Sequence, residues 1–243
     1  MICNSPEDLN ATVFPSFEER HTDPTYLADR SILVCTNDLA MERNNEMVER
    51  IRGEAFESYS IDYCMEGEDK ARYDTDTLNQ TNSSGLPPHF LSLKRNACII
   101  LLRSLNPKIG FCNGSRCLLK NWTKNLLIVQ ELAGERRDIL VPRVPMECTE
   151  SKLGIPFFRR QFPILLSYYL TLNRSQGKTL DTVGLELPES VFMHGHVYVG
   201  TTRTGDPEKL HIYANQEVFE DIADKLEDGK KYIRNEVWKE MLT

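Results

Sequence analysis

The stretch "LTLNRSQGKTLDTVGLELPE", residues 170–189, places Gly177, Lys178 and Thr179 in a row, the ending of a phosphate-gripping G-x-x-x-x-G-K-[ST] loop. Such a loop needs an earlier glycine so that successive backbone N–H groups turn inward around the phosphates, and Leu172 holds that place. It must also follow a strand and open a helix, yet here a strand-like run, Val183 to Leu187, comes after the tripeptide. The stretch therefore reads as a polar turn or short helix, "RSQGKTLD", between the apolar strands "FPILLSYYLTLN" and "VGLELP". A helix, "ESVFMHGHVYVGTTRTG", and a last strand, "LHIYA", complete an alternation that belongs to an α/β layer.

Working outward, "RSILVCTND", residues 30–38, is a buried strand (Ile32 to Cys35) that ends in an Asn/Asp turn. "LAMERNNEMVERIRGEA" then has helical apolar spacing, with Gly53 as its stop. From Ser58 to about Ser84 the chain is polar, acidic and turn-rich, so a layer change or insertion begins there. Residues 90–143 change character: "FLSLKRNACIILLRSLN", "SRCLLKNWT", "NLLIVQEL" and "RRDILVPRVP" are short β-rich runs separated by Asn-Pro, Asn-Gly, Thr-Lys-Asn and Ala-Gly-Glu turns. Strands at this spacing predict a small antiparallel barrel or curled sheet. Residues 216–242 predict two helices divided near Gly229. The layout is an α/β layer interrupted by a β insertion.

Composition narrows the chemistry. With 40% apolar residues in 243, the chain can bury a real core, and no run reaches the roughly 18 apolar residues of a membrane span. The N-terminus lacks a basic start followed by an apolar stretch, which predicts a cytosolic or nuclear protein. The seven cysteines form no C-x-x-C pair; Cys112 and Cys117 would be half of a metal site, with no second pair at ligand spacing nearby. The net charge of −7 conceals an asymmetry: residues 94–178 carry 15 Lys/Arg against 5 Asp/Glu, while the flanks carry 7 against 18 and 7 against 13. A basic segment of this kind suits a local polyanion-binding surface or a solvated positive face, because counterion release depends on the patch and not on the total charge.

The segments "DRSILVCTND", "SGLPPHFLSLKRNACIILLRSLNPKIGFCNGSRCLL", "VPRVPM", "FFRRQFPILLSYYLTLNRSQGKTLDTVGLELPE" and "HGHVYVGTTRT" occur in one order over roughly residues 26–214. In that order and spacing they resemble the C-terminal part of the Pif-type (petite integration frequency) DNA helicases of superfamily one, Helitron-like relatives included. The resemblance implies an N-terminal connecting segment, 1–23, and a second RecA-like motor domain, of the P-loop-NTPase type with a parallel sheet, from 24–57 and 163–215. It further implies an insertion, 58–162, with a small antiparallel β-barrel of the Src-homology-three type, and a C-terminal helical tail, 216–243. The activity implied is that of an ATP-dependent 5′-to-3′ DNA helicase, nuclear, with the mitochondrion as the alternative.

The same resemblance assigns roles. Thr36, Asn37, Asn173, Arg174, Ser175, Gln176 and Gly177 would hold the phosphodiester of single-stranded DNA; Arg159 and Arg160, beside Phe157 and Phe158, would add guanidinium and stacking contacts, or the phenylalanines pack in the core. Trp122 and Tyr168 are open to the same two readings. Arg203 would reach the γ-phosphate of ATP held by the first motor domain, since guanidinium is always charged and bridges phosphate oxygens. The family's Ala-Leu-Ser before that arginine is Gly200-Thr201-Thr202 here, and its Gln is His196. Neither a Walker A loop nor an Asp-Glu pair ending an apolar strand is found, so ATP and Mg²⁺ belong to the complete helicase and the chain alone is expected to be inactive. The expected partners are single-stranded DNA and the first RecA-like domain; the alternative is a non-catalytic single-strand-binding module or transposon-derived relic.

Overall fold

Two helix starts shape the N-terminus, because each supplies a side-chain acceptor to orphan backbone donors. Ser5 accepts from Asp8 N–H to cap α1 (Pro6–Val13), and Asp23 accepts from Thr25 N–H to cap α3 (Pro24–Ala28), with α2 (Phe17–Arg20) between them. These coordinates are a computed structural model, which describes residues 1–64, 74–81, 83, 85–148, 156–188 and 195–215. The expected helical tail, 216–243, lies outside them.

The chain continues through β1 (Arg30–Val34), α4 (Asn37–Glu49), β2 (Ala55–Tyr59), β3 (Ile61–Cys64), α5 (Thr75–Gln80), β4 (Phe90–Lys94) and β5 (Cys98–Leu101). The strands β6 (Arg116–Trp122), β7 (Leu126–Glu131), β8 (Asp138–Pro142), β9 (Val144–Cys148), β10 (Phe157–Gln161) and β11 (Ile164–Leu166) follow. Then come β12 (Tyr169–Thr171), α6 (Leu172–Ser175), β13 (Thr182–Leu187), α7 (His196–Thr201) and β14 (Leu210–Ala214). Two compact units result: Met1–Asn44 with Tyr168–Thr243, and Asn45–Ser167. The division falls at 44/45 and 167/168 rather than at the expected 57/58 and 162/163, and the β2–β4 and β11–β5 pairings lie wholly within the second unit.

The first unit is built on a parallel sheet of order β12-β1-β13-β14. Every residue of β13 is buried, as both faces of a parallel sheet are covered. Residues 1–23 are more than a connector. Leu9, Val13, Phe14 and Phe17 are fully or almost fully buried, and Phe14 and Phe17 stand edge-on to Tyr168 with centroids 6.1 and 5.3 Å away, which settles Tyr168 as core. Asn44 of α4 completes the frame: its Nδ2 donates to Ala40 O and Tyr169 O, and its Oδ1 accepts from Tyr168 N–H and Tyr169 N–H.

The apolar run "FPILLSYYLTLN" is not one strand. Ile164–Leu166 pairs antiparallel with β5, whereas Tyr169–Thr171 pairs parallel with β1, so the run changes sheet at Ser167 and Tyr168. The second unit is antiparallel, as expected, but its strands form three sheets: β11-β5-β6-β7-β8, β2-β4 and β3-β10-β9. The pair and the larger sheet share one core, with Leu91, Leu93, Ile99, Leu101, Leu119 and Val129 buried together. Trp122 stacks on Phe56 at 5.5 Å against that core. A second core gathers Leu78, Leu86, Met146 and Phe157.

Candidate nucleic-acid interface

Parallel strands end at the same edge of their sheet, the edge at which open α/β sheets bind ligands. Val34 of β1 is the register partner of Thr171 of β12, so the turns that follow these two strands emerge side by side. The first carries Thr36 and Asn37, both exposed; Thr36 Oγ1 accepts from Leu39 N–H at 3.3 Å and starts α4. The second is the single helical turn α6 and the residues after it, where Asn173, Gln176 and Gly177 are exposed. Gly177 has φ +77°, which lets the backbone leave α6 without side-chain strain. Five of the expected strand-binding residues are therefore brought to one edge.

Ser175 departs from expectation. Its side chain is fully buried and its Oγ donates to Leu172 O at 2.7 Å, so the hydroxyl closes the turn and does not face outward. Arg174 is half-buried, and burial lowers its pKa; its guanidinium makes no hydrogen bond or ion pair among the described residues. A desolvated cation without an acceptor favours an anion. His196 is buried at the start of α7, its Nε2 3.2 Å from Asn173 Oδ1, and burial holds its pKa below the ordinary histidine value.

Arg203 lies just beyond α7 and folds back onto the same turn. Its Nε donates to Val199 O at 2.8 Å, its Nη1 to Lys178 O at 3.3 Å and Ser175 O at 3.5 Å, and its Nη2 to Thr202 Oγ1 at 3.1 Å. The glycine that replaces the family's alanine has a local cause. A Cβ on Gly200 would stand 2.7 Å from Leu185 Cδ2 and 2.9 Å from Leu172 Cδ2, both buried.

Arg159 and Arg160 belong to the other unit, and only one of them faces outward. In β10, Phe157, Arg159 and Gln161 point in while Arg160 is exposed, since successive strand residues alternate. Arg159 is completely buried, and its Nε and Nη2 bind the Asp62 carboxylate, Nη2 at 2.6 Å from Oδ2. Its Nη1 reaches Pro87 O, and its Nη2 also reaches Leu78 O and Asn79 O. The expected DNA contact by Arg159 is thus corrected to an internal ion pair. Tyr59, Ile61 and Tyr63, not among the expected site residues, are exposed on one side of their strands, and their spacing of two in the sequence is the signal for it. Among the described residues no three His, Cys, Asp or Glu side chains converge as a metal-binding group.

Residues 76–121 match the family described as DNA helicase Pif1, 2B domain. The chain is 28% identical over 212 residues to the ATP-dependent DNA helicase PIF6 of Trypanosoma brucei brucei, covering 85% of this chain and 25% of that protein. Its fold is similar to the crystal structure of Pif1 helicase from Candida albicans, with TM-score 0.60 and 19% identity over 84% of this chain and 52% of that one. It is similar also to Bacteroides Pif1 bound to ssDNA, with TM-score 0.54 and 18% identity over 86% and 49% of the two chains. The chain thus spans a quarter of the curated relative's length and about half that of the solved neighbours.

Proposed function

We propose that this chain, a relative of the Pif-type DNA helicases that corresponds to their C-terminal portion, forms the second motor half of an ATP-dependent 5′-to-3′ DNA helicase. The observation that carries the reading is the shared edge of the parallel sheet, where the Thr36–Asn37 turn emerges beside the Asn173–Gly177 turn and Arg203 is tied to the latter. Arg174, Asn173 and Gln176 donate to phosphates of a single strand, Gly177 admits the backbone closely, and Ser175 braces the turn from behind. Arg203 swings from the carbonyls of Ser175 and Lys178 toward the γ-phosphate of ATP bound with Mg²⁺ by a first RecA-like domain. The core shared by β2-β4 and the five-stranded sheet supports a barrel-like, Src-homology-three-type reading of the insertion.

Oligothymidylate binding measured against salt tests this. Arg174→Ala should weaken binding and reduce the salt slope by roughly 0.7 for the lost contact. Arg203→Ala should leave DNA affinity nearly unchanged, yet cost on the order of 10³-fold in ATP turnover once the chain is joined to a first motor domain. Equal loss of DNA affinity in both variants would refute the division of roles. A second reading, a single-strand-binding module that hydrolyses nothing, is favoured by the absence of a G-x-x-x-x-G-K-[ST] loop from the sequence. DNA-stimulated ATPase activity of the chain alone would exclude it.

A further inference from the structure

Four of the large apolar side chains that stay exposed gather on one face of the Asn45–Ser167 unit: Tyr59 at 56%, Ile61 at 57%, Tyr63 at 44% and Phe90 at 43%. Their grouping follows from strand geometry. Tyr59, Ile61 and Tyr63 alternate with the buried Ser58, Ser60 and Asp62, Phe90 is the register partner of Tyr59, and Phe158 that of Tyr63. The rings pack on one another, Tyr59 with Phe90 at 5.0 Å and Tyr63 with Phe158 at 5.6 Å and nearly parallel. Contiguous exposed apolar surface of this kind marks an interaction site rather than ordinary surface.

Two guanidiniums edge the rings. Arg160 sits opposite Ile61 and has no hydrogen bond or ion pair among the described residues. Arg143 donates to Tyr59 O but its Nε finds no acceptor, and burial and the charge of Arg160 both lower its pKa. Exposed carboxylates lie at the two ends of the face, Glu57 before Tyr59 and Glu147 opposite Phe158. They would repel an extended phosphodiester, whereas a short carboxylate can settle between them on the arginines. Tyr, Phe and Arg are also enriched at protein–protein interfaces, Tyr and Arg especially at their hot spots.

We propose that this face docks a partner protein through a segment that presents apolar side chains next to carboxylates. The face belongs to the Asn45–Ser167 unit and the parallel sheet to the other. The test measures the whole chain with a fluorescein-labelled peptide of alternating Asp and Phe or Leu, its counterpart with Lys for Asp, and labelled oligothymidylate. The acidic peptide should bind at least about tenfold more tightly than the basic one. Arg160→Glu should abolish that preference, and Ile61→Asp or Tyr63→Ser should weaken the acidic peptide by about tenfold or more, with circular dichroism unchanged because each side chain is exposed. Equal affinity for the two peptides would overturn the proposal. So would loss of oligothymidylate binding, in place of peptide binding, in Arg160→Glu, which would give the face to nucleic acid.

Discussion

Replacing Arg159 separates a structural arginine from a DNA-binding one. The guanidinium and the Asp62 carboxylate are both fully buried, and Ser60 Oγ donates a further bond of 2.6 Å to that carboxylate. Asp62→Ala leaves a cation with three backbone carbonyls and no counter-charge; Arg159→Met leaves a carboxylate with one hydroxyl and strips donors from Leu78 O, Asn79 O and Pro87 O. Breaking one partner of such a pair costs about 3–5 kcal/mol. At roughly 3 °C per kcal/mol for a chain of this size, the melting temperature should fall by about 10–15 °C in either single variant. The double variant Arg159→Met/Asp62→Leu should recover much of the loss, because apolar groups of similar volume replace buried ion pairs well. Thermal denaturation read alongside oligothymidylate anisotropy checks this, with the folded fraction of Arg159→Met binding DNA as the parent does. An Arg159→Met protein that melts normally but no longer binds oligothymidylate would refute the reasoning.

Two further outcomes concern polar groups that are wholly or partly buried in the first unit. Asn44→Leu should destabilise the chain by roughly 3 kcal/mol or more, since Tyr168 N–H, Tyr169 N–H and Tyr169 O lose their partners at about 1–3 kcal/mol each, non-additively; an unchanged urea midpoint and unchanged amide exchange at Tyr168 would contradict it. Burial lowers the pKa of both His196 and His211, so the unfolded chain takes up protons first and stability is lost as pH falls below about 6.5. Urea midpoints should therefore drop between pH of about 7.5 and 5.5, and His196→Gln should flatten part of that slope.

What the sequence disclosed depended on whether polarity and exposure coincided. Ile32, Leu33 and Val34, and the run from Val183 to Leu187, are apolar and buried, so β1 and β13 were legible. The end of β2 and all of β3 lie in the polar stretch that starts at Ser58, and they are hidden there because Ser58, Ser60 and Asp62 turn inward and are satisfied by Gln161, by each other and by Arg159. The Arg-Arg doublet misled for the same reason: adjacent strand residues face opposite ways, and composition cannot say which arginine finds an internal carboxylate. The unbroken apolar run 162–171 held no mark of its change of sheet, since both halves are equally apolar. Asn173, Arg174 and Gln176 are where the turn reading put them, while Ser175 is taken inward by the one-turn geometry of α6.

The missing methyl group at position 200 has a mechanical meaning. A helix that meets its neighbours through a hydrogen atom rests lower than one carried on a methyl, and α7 rests on Leu185 and Leu172 in that way. Arg203 begins only a few residues along, so the stand-off of α7 is the base of the lever on which its guanidinium extends. In the proposed role of Arg203 at a γ-phosphate, a displacement of about 1 Å would cost on the order of 100-fold. The reach of a charge at one end of the helix is thus set by what a single residue beneath it leaves out.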